Sequence, residues 1–540
     1  MQTQTMDGAH FTRMLQSGLL HLERHKQEID ALNVFPIPDG DTGENMYLTF
    51  SGGVRSGAAG TLGEVAGKMA DGMLLSARGN SGVILSQIAA GVAEGLHNAD
   101  TAAPDTLRTA LRRGVEQAYK AVMEPTEGTM LTVYRCAVEA VENQVCATTE
   151  DVLRTMLDAA RETLSHTPEM LPVLAKAGVV DSGGAGLVAI LEGMLAEDDA
   201  TFATATVGTS PVQDLDRFGA DSVLTYGYCT ELLLRLQNCK TDIQNFDTDR
   251  LTGPLQQIGD SMVIWRKDSL LKLHIHTKTP DKVLALCQQY GEFLQVKIEN
   301  MSLQHSNTMQ TGDPLPGNTP KKKDHTPYGV VAVASGDGIR QLFLDRGADV
   351  LVEGGQTNNP STEDFLEAFD SVNADTIFVL PNNGNILLTA MQAATMYPKA
   401  DVRVIETRTL GEGVAALSML SYDTGDTDAI VQELTEATEG VVTAAVSQSV
   451  RETAEVHTGE YLGFVGKKIL AADPDRLHTA RNLADALSDT GDVWLLLVGK
   501  GVPEDEAAAL EMYITKTYPA KEVYRMDGGQ EIYDYMMILE

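Results

Sequence analysis

Apolar side chains recur every three or four positions through residues 1 to about 200, and no other feature constrains the fold of this chain as tightly. Phe11, Leu15, Leu19, Leu22 and Ile29 form one stripe; Leu107, Leu111, Val115, Ala118 and Val122 form another. Similar stripes run through 62–74, 83–96, 134–145, 152–164 and 187–195, and a segment near Leu171 adds one more. That spacing predicts about eight helices. The breaks at 36–43, 78–82, 125–129 and 181–186 are rich in glycine and polar residues, so the chemistry of an all-α domain is expected there.

From about residue 205 the pattern changes to short β-rich runs mixed with helices. Residues 223–234 and 261–276 read as strand material and 280–290 as a helix. Residues 310–327 carry Pro314, Pro316, Pro320, Pro327 and three consecutive lysines, the composition of a flexible linker. After it, apolar runs at 329–334, 349–352, 375–380 and 402–405 each precede a helical stretch, as in a parallel α/β sheet. Further runs follow at 441–446, 461–465, 493–498 and 536–539. The domains are therefore drawn at 1–204, 205–309 and 328–540, with the linker at 310–327.

The 540 residues include 41 Lys+Arg against 76 Asp+Glu, a formal net charge of −35. Such an acidic chain is ill suited to the backbone phosphates of a nucleic acid or to an anionic membrane surface. No stretch reaches the roughly 18 consecutive apolar residues of a membrane helix, and the first residues lack the pattern of a secretory signal. Five scattered cysteines fit free thiols or a metal ligand in a reducing cytoplasm better than a disulfide framework.

The segment Asn33-Val-Phe-Pro-Ile-Pro-Asp39-Gly-Asp41-Thr-Gly-Glu-Asn45-Met carries the most chemical information. Asp39 and Asp41 stand one glycine apart in a turn after two prolines and can aim both carboxylates at one point. Hard oxygen ligands of this kind suit Mg²⁺, which takes one or two carboxylates and completes its shell with phosphate and water. Gly40 and Gly43 allow close backbone approach, while Thr42 and Asn45 offer neutral phosphate contacts. An Asp-Gly turn that merely caps a helix has the same local sequence.

That string resembles the signature of the L-subunit superfamily of dihydroxyacetone kinases, and in detail the ATP-binding subunit of bacterial fatty acid kinase. Other segments match in order: ARGNSGVILSQ at 77–87, EPTEGTMLTV at 124–133, LPVLAKAGVVDSGGAGL at 171–187, GGQTNNPSTEDFLEA at 354–368, LPNNGNI at 380–386 and GGQEIYDY at 528–535. The resemblance implies an eight-helix barrel with ATP at one mouth, an α/β middle domain and a DegV-like α/β C-terminal domain. It implies Asp39 and Asp41 as catalytic ligands of a pair of Mg²⁺ ions; Asn33 stands, with a one-residue offset, where the related kinases have a third aspartate. Asn80, Ser81 and Gly82 fall in a phosphate-contacting loop, Thr129 and Met130 in a loop bordering the nucleotide, and Asp181 and Gly183 in the loop near the adenosine.

In the middle region, Tyr228-Cys229-Thr-Glu231 and His274-Ile-His276 lie on separate predicted strands. Residues two apart on a strand share a face, so two imidazoles and a thiolate can converge as Zn²⁺ prefers. A His-x-His on a solvated edge has the same pattern. The family shares this Cys and His-x-His, which implies structural zinc on Cys229, His274 and His276, with Glu231, Asp260 or water as fourth ligand. Cys136, Cys146, Cys239 and Cys287 sit on apolar or mixed helical stretches and read as packed or surface thiols.

In the C-terminal half, glycine- and amide-rich turns at 335–338, 354–359 and 381–384 follow strand-like runs. They are either strand-end ligand loops or plain connectors. By the resemblance, this half docks a separate fatty-acid-binding carrier, the chain is a cytoplasmic homodimer, and the product is an acyl phosphate plus ADP. A dihydroxyacetone-type kinase of a small hydroxylated substrate is one alternative, and a catalytically inactive lipid-binding or regulatory protein another. The nucleotide motifs all precede Gly186, so residues 1 to about 200 are expected to bind ATP unaided.

Overall fold

The computed structural model describes residues 5–32, 34, 37, 40–56, 60–196, 228–243, 246, 249–256, 258–267, 269–300, 325–356, 358–422, 425–451 and 456–540. Asn33, Asp39 and residues 310–324 of the expected linker lie outside them; Thr326 and Pro327 already belong to a strand. The chain forms two compact units, Met1–Asp199 with Pro320–Glu540, and Ala200–Thr319.

Among the described residues the N-terminal region holds nine helices: α1 (Gly8–Asp30), α2 (Thr42–Ser56), α3 (Leu62–Ser76), α4 (Gly79–Gly95), α5 (Pro104–Ala121), α6 (Met130–Glu142), α7 (Thr149–Met170), the short α8 (Pro172–Ala177) and α9 (Ser182–Leu195). Local sequence starts several of them. Asp7 caps α1, Pro104 opens α5, and capping boxes Thr61–Glu64 and Thr148–Asp151 begin α3 and α7. A two-residue pair, β1 (Met6–Asp7) with β2 (Thr101–Ala102), ties down the entry to α1. Each long helix packs on the next, α7 packs on α9, and α9 returns to α1. The eight long helices thus close a ring around one apolar core that includes Leu22, Met46, Leu62, Val138 and Val152.

The helix absent from the apolar stripes is α2. Its buried positions include Gly43, Asn45, Thr49, Ser51 and Gly53 beside Met46 and Phe50, so burial here does not follow hydrophobicity. Polar burial of this kind marks a helix that faces a site as well as a core.

The second unit is a four-stranded antiparallel sheet of β3 (Tyr228–Leu236), β4 (Gly259–Lys267), β5 (Leu270–Thr277) and β6 (Gly291–Asn300) in the order β4-β5-β3-β6. Helices α10 (Asp249–Gln256) and α11 (Pro280–Gln288) supply Leu251, Leu255, Val283 and Cys287 to a core with Leu232, Leu234, Leu273 and Ile275.

The C-terminal region has two sheets. β7 (Thr326–Ala334), β8 (Val350–Glu353), β9 (Ala374–Leu380) and β10 (Asp401–Val404) run parallel in the order β10-β9-β7-β8, as the alternating pattern predicts. The other joins β11 (Val442–Gln448), β12 (Tyr461–Val465), β13 (Lys468–Asp473), β14 (Val493–Val498), β15 (Glu522–Asp527) and β16 (Tyr535–Leu539) in the order β13-β12-β11-β16-β14-β15. Only its β14–β15 pair is parallel.

The two parts of the first unit are stitched together. Ala77 O accepts from Thr362 N at 3.1 Å, and Arg78 pairs with Ser361 in an isolated antiparallel bridge. Helix Leu387–Met396 packs on α4, where the Gln392 amide bonds Leu74 O and Gln87, both at 2.8 Å. Ile37, in the α1–α2 loop, is 4% exposed and belongs to the apolar cluster of Val330, Ile405, Val414 and Leu462. Ile37→Ala should therefore cost the C-terminal core about 2–4 kcal/mol, read as a lower denaturant midpoint from probes in β7–β16.

Candidate functional site

Antiparallel neighbours in a closed ring place the N-termini of alternate helices at the same end. Here those are α2, α4, α6 and α9, and side chains join them. Ser182 Oγ donates to Thr42 Oγ1 at 3.2 Å, linking α9 to α2. Arg78 N, just before α4, donates to Thr49 Oγ1 of α2 at 3.2 Å. Asp181 caps α9 by accepting from Gly184 N at 2.7 Å and also takes the N–H of Met130 at the start of α6.

Every described residue assigned to the nucleotide by sequence lies at this end. Thr42, Gly43 and Asn45 are in the first turn of α2, with Asp41 just before them. Asn80, Ser81 and Gly82 are in the first turn of α4. Thr129 precedes Met130 of α6, and Asp181 precedes Gly183 of α9. A Cβ on Gly183 would lie 3.1 Å from that of Met130, so those two loops touch. Each helix N-terminus carries roughly half a positive charge in unpaired N–H groups, so four together present about +2 to an anion. That suits the phosphates of a nucleotide in a chain otherwise dominated by carboxylates.

Two close approaches fix the loops. Gly43 N donates to Asp30 Oδ1 at 2.6 Å, and a Cβ on Gly43 would stand 2.2 Å from Lys26 O. Burial pushes the Asp30 carboxyl above its usual range while the N–H groups of Gly43 and Glu44 pull it down. Gly79 has φ +58°, and its Cβ would meet Asn45 Nδ2 at 2.6 Å and Asn359 Nδ2 at 3.1 Å.

Asn359 belongs to the C-terminal region, which sequence reasoning does not place at this site. Its amide Nδ2 donates to Asp41 Oδ2, and its backbone oxygen accepts from Arg78 Nη1 at 2.7 Å. Arg78 also faces Asp364 at 3.6 Å. Asn80 Nδ2 reaches Gly384 O at 3.4 Å. The turns at 354–359 and 381–384 follow β8 and β9, so the C-terminal edge of the parallel sheet borders the ring's mouth. Asn382 Nδ2 binds Val333 O at 2.8 Å and Asn383 Nδ2 approaches Gly355 O at 3.4 Å, holding those turns together. The one advance signal is the run of amides and glycines after apolar strands.

Whether this mouth suits a divalent cation can be judged from its donors. Asp41 and Asn45 supply oxygen atoms, and Asn80 Oδ1 and Asn359 Oδ1 are buried with no hydrogen-bond partner among the described residues. Buried acceptors without partners are rare and costly. A hydrated Mg²⁺ fits this set.

The backbone register of the antiparallel sheet sets Cys229 opposite His276, Glu231 opposite His274, and Asp260 opposite His276. Their side chains lie outside the described residues. Cys287 is buried in the core beneath, while Cys239 lies exposed in a turn and Cys146 in a loop rather than on helices.

Comparison with known proteins covers the whole chain. The DAK2 domain model matches residues 36–196. The FakA-like middle-domain and C-terminal models, both of the fatty acid kinase family, match residues 225–308 and 329–540. Protein YloV of Bacillus subtilis is 37% identical over 560 residues, covering 100% of each chain. Protein SSP1546 of Staphylococcus saprophyticus is 34% identical over 565 residues, covering 99% of each. Among solved structures, the fatty acid binding protein DegV from Bacillus subtilis aligns with 40% of this chain and 99% of its own, at TM-score 0.32 and 13% identity. The Fatty Acid Kinase (Fak) B3 protein of Streptococcus pneumoniae, loaded with linoleic acid, aligns with 39% of this chain and 99% of its own, at TM-score 0.28 and 13% identity.

Burial pushes the Asp181 carboxyl up to about 6 from 3.8, against the pull of the Gly184 and Met130 N–H groups. The folded chain then holds this proton more tightly than the unfolded chain, so the group's contribution to stability falls as pH rises from about 4 to about 6. Asp181→Asn keeps a capping oxygen and removes the titration. Its melting temperature, followed across that window without nucleotide, should decline less with rising pH than that of the unmodified protein.

Proposed function

Since the chain belongs to the FakA-like fatty acid kinase family, we propose that it transfers the γ-phosphate of ATP to the carboxylate of a fatty acid held by a separate carrier protein. The observation that carries this reading is Asp41 standing where four helix N-termini meet, within the residues matched by the DAK2 model.

A carboxylate oxygen attacks the γ-phosphorus, the bond from that phosphorus to the β,γ-bridging oxygen breaks, and acyl phosphate and ADP result. The acceptor is already an anion and needs no general base, so positioning and charge neutralisation supply the catalysis. Asp41 with Asp39 and Asn33 would hold a pair of Mg²⁺ ions; when bound, the metal neutralises charge on the β- and γ-phosphates. The first turns of α2 and α4, with Thr42, Gly43, Asn45, Asn80, Ser81 and Gly82, offer backbone N–H groups and neutral side chains to the phosphates. Thr129, Met130, Asp181 and Gly183 border the rest of the nucleotide.

The separate carrier is inferred from the family. No helix among the described residues is long and apolar enough to cross a membrane, in keeping with a cytoplasmic enzyme. A homodimer is part of the proposal: edge strand β6 exposes Leu294, Val296 and Ile298, apolar surface that a second copy would cover.

Incubation with ATP, Mg²⁺ and a fatty-acid-loaded carrier should yield hydroxylamine-trappable acyl phosphate. Asp41→Asn and Asp39→Asn should each lower that rate by about a hundredfold or more with circular dichroism unchanged. Near-normal turnover in either would sink the assignment of the pair.

For the middle domain we propose structural zinc on Cys229, His274 and His276, with Glu231, Asp260 or water completing the shell. The register supports it by pairing the thiol and one imidazole position across β3 and β5. Protein purified without chelator should contain about one zinc per chain, lost in Cys229→Ser; zinc-free unmodified protein would rule the site out.

A further inference from the structure

The α1–α2 loop, which ends in Asp41, is held from the C-terminal region at three points. Arg451 Nη1 donates to Ala31 O at 3.0 Å where α1 ends. Ile37 is buried in the C-terminal apolar cluster. Asn359 Nδ2 donates to Asp41 Oδ2. Asn359 is 2% exposed, its backbone oxygen is bonded by Arg78, and its Oδ1 has no partner among the described residues.

We propose that Asn359 is a positioning residue for the carboxylate of Asp41, so that the C-terminal domain completes the Mg²⁺–nucleotide site of the helical ring. The inference rests on the kinase reading above. A carboxylate that is to hold a cation is fixed in place when one of its oxygens accepts a hydrogen bond from a rigid donor. Loss of such supporting partners typically weakens metal binding 10- to 100-fold. The amide on Oδ2 sets the plane of the carboxylate, and with it the direction in which Asp41 can offer a lone pair to the metal. The loop needs this support, because it carries two aspartates one residue apart in a chain of net charge −35. The nucleotide motifs precede Gly186, and the groups that hold Asp41 from the C-terminal region lie outside residues 1 to about 200.

The test is a Mg²⁺ titration of the full-length chain at fixed ADP, with binding followed by calorimetry and no carrier or fatty acid present. Asn359→Ala and Asn359→Leu both remove the N–H donor without adding charge, and Leu keeps the branched shape. Each should raise the Mg²⁺ concentration for half-maximal ADP binding about tenfold. Gln392→Ala, which cuts hydrogen bonds to Leu74 and Gln87 across the same interface, should leave it unchanged. If Asn359→Ala does not fold, Asn359→Leu decides. Unchanged or tighter Mg²⁺ dependence in the Asn359 variants overturns the proposal, since the C-terminal domain would then only cover the mouth. An equal weakening by Gln392→Ala also overturns it, because domain contact rather than the amide would be responsible. A full-length chain that binds no ADP at any Mg²⁺ concentration would remove the kinase reading itself.

Discussion

Four helix N-termini brought to one end of a ring demand negative charge in front of them, and much of the structure follows from that demand. Their unpaired N–H groups attract anions. Part of the demand is met within the protein, by Asp181 at α9 and α6 and by Asp30 at α2. The remainder faces the mouth, beside Asp41. A site made this way can recognise an anion through backbone geometry and needs few cationic side chains, so it is compatible with so acidic a chain. Arg78, a cation at the mouth, is committed to the Asn359 carbonyl and to Asp364.

The ring was legible in the sequence wherever burial follows hydrophobicity. Stripes such as Leu107, Leu111 and Val115 point inward because nothing but packing decides their positions. Helix α2 escapes that reading because Thr49 is buried to bond Arg78 N and Asn45 is buried against Gly79, and no periodicity of apolar residues records that. The same limit hides Asn359. It is 318 positions from Asp41 in sequence, and a lone asparagine in a turn carries no sign of what it faces. Glycine and amide runs after strands mark the right loops but not their direction. In the second C-terminal sheet, apolar runs reveal four of the six strands but not the more polar β13 and β15, and not their sense, since most pairs there are antiparallel.

The antiparallel unit follows a simpler rule. Alternate residues Leu232, Leu234 and Leu236 go into its core, leaving Cys229 and Glu231 at the intervening positions of β3. Period-two alternation fixes that register firmly, because a slip by one residue would turn these leucines out of the core. Pairings such as Cys229 with His276 are therefore as secure as the leucine core between β3 and β5.

The burial of Ile37 among residues as distant as Val414 has a consequence for biosynthesis. On the ribosome the helical ring is complete in sequence by about residue 196, yet the seat of Ile37 has not been translated. At 5–20 residues per second, the stretch from Ile37 to Val414 takes roughly 20 to 75 seconds to make. Throughout that interval the nascent ring carries a loop with no apolar seat for Ile37. The first domain to emerge is thus among the last to acquire its finished mouth, and a truncated translation product lacks the groups that hold its aspartate in place.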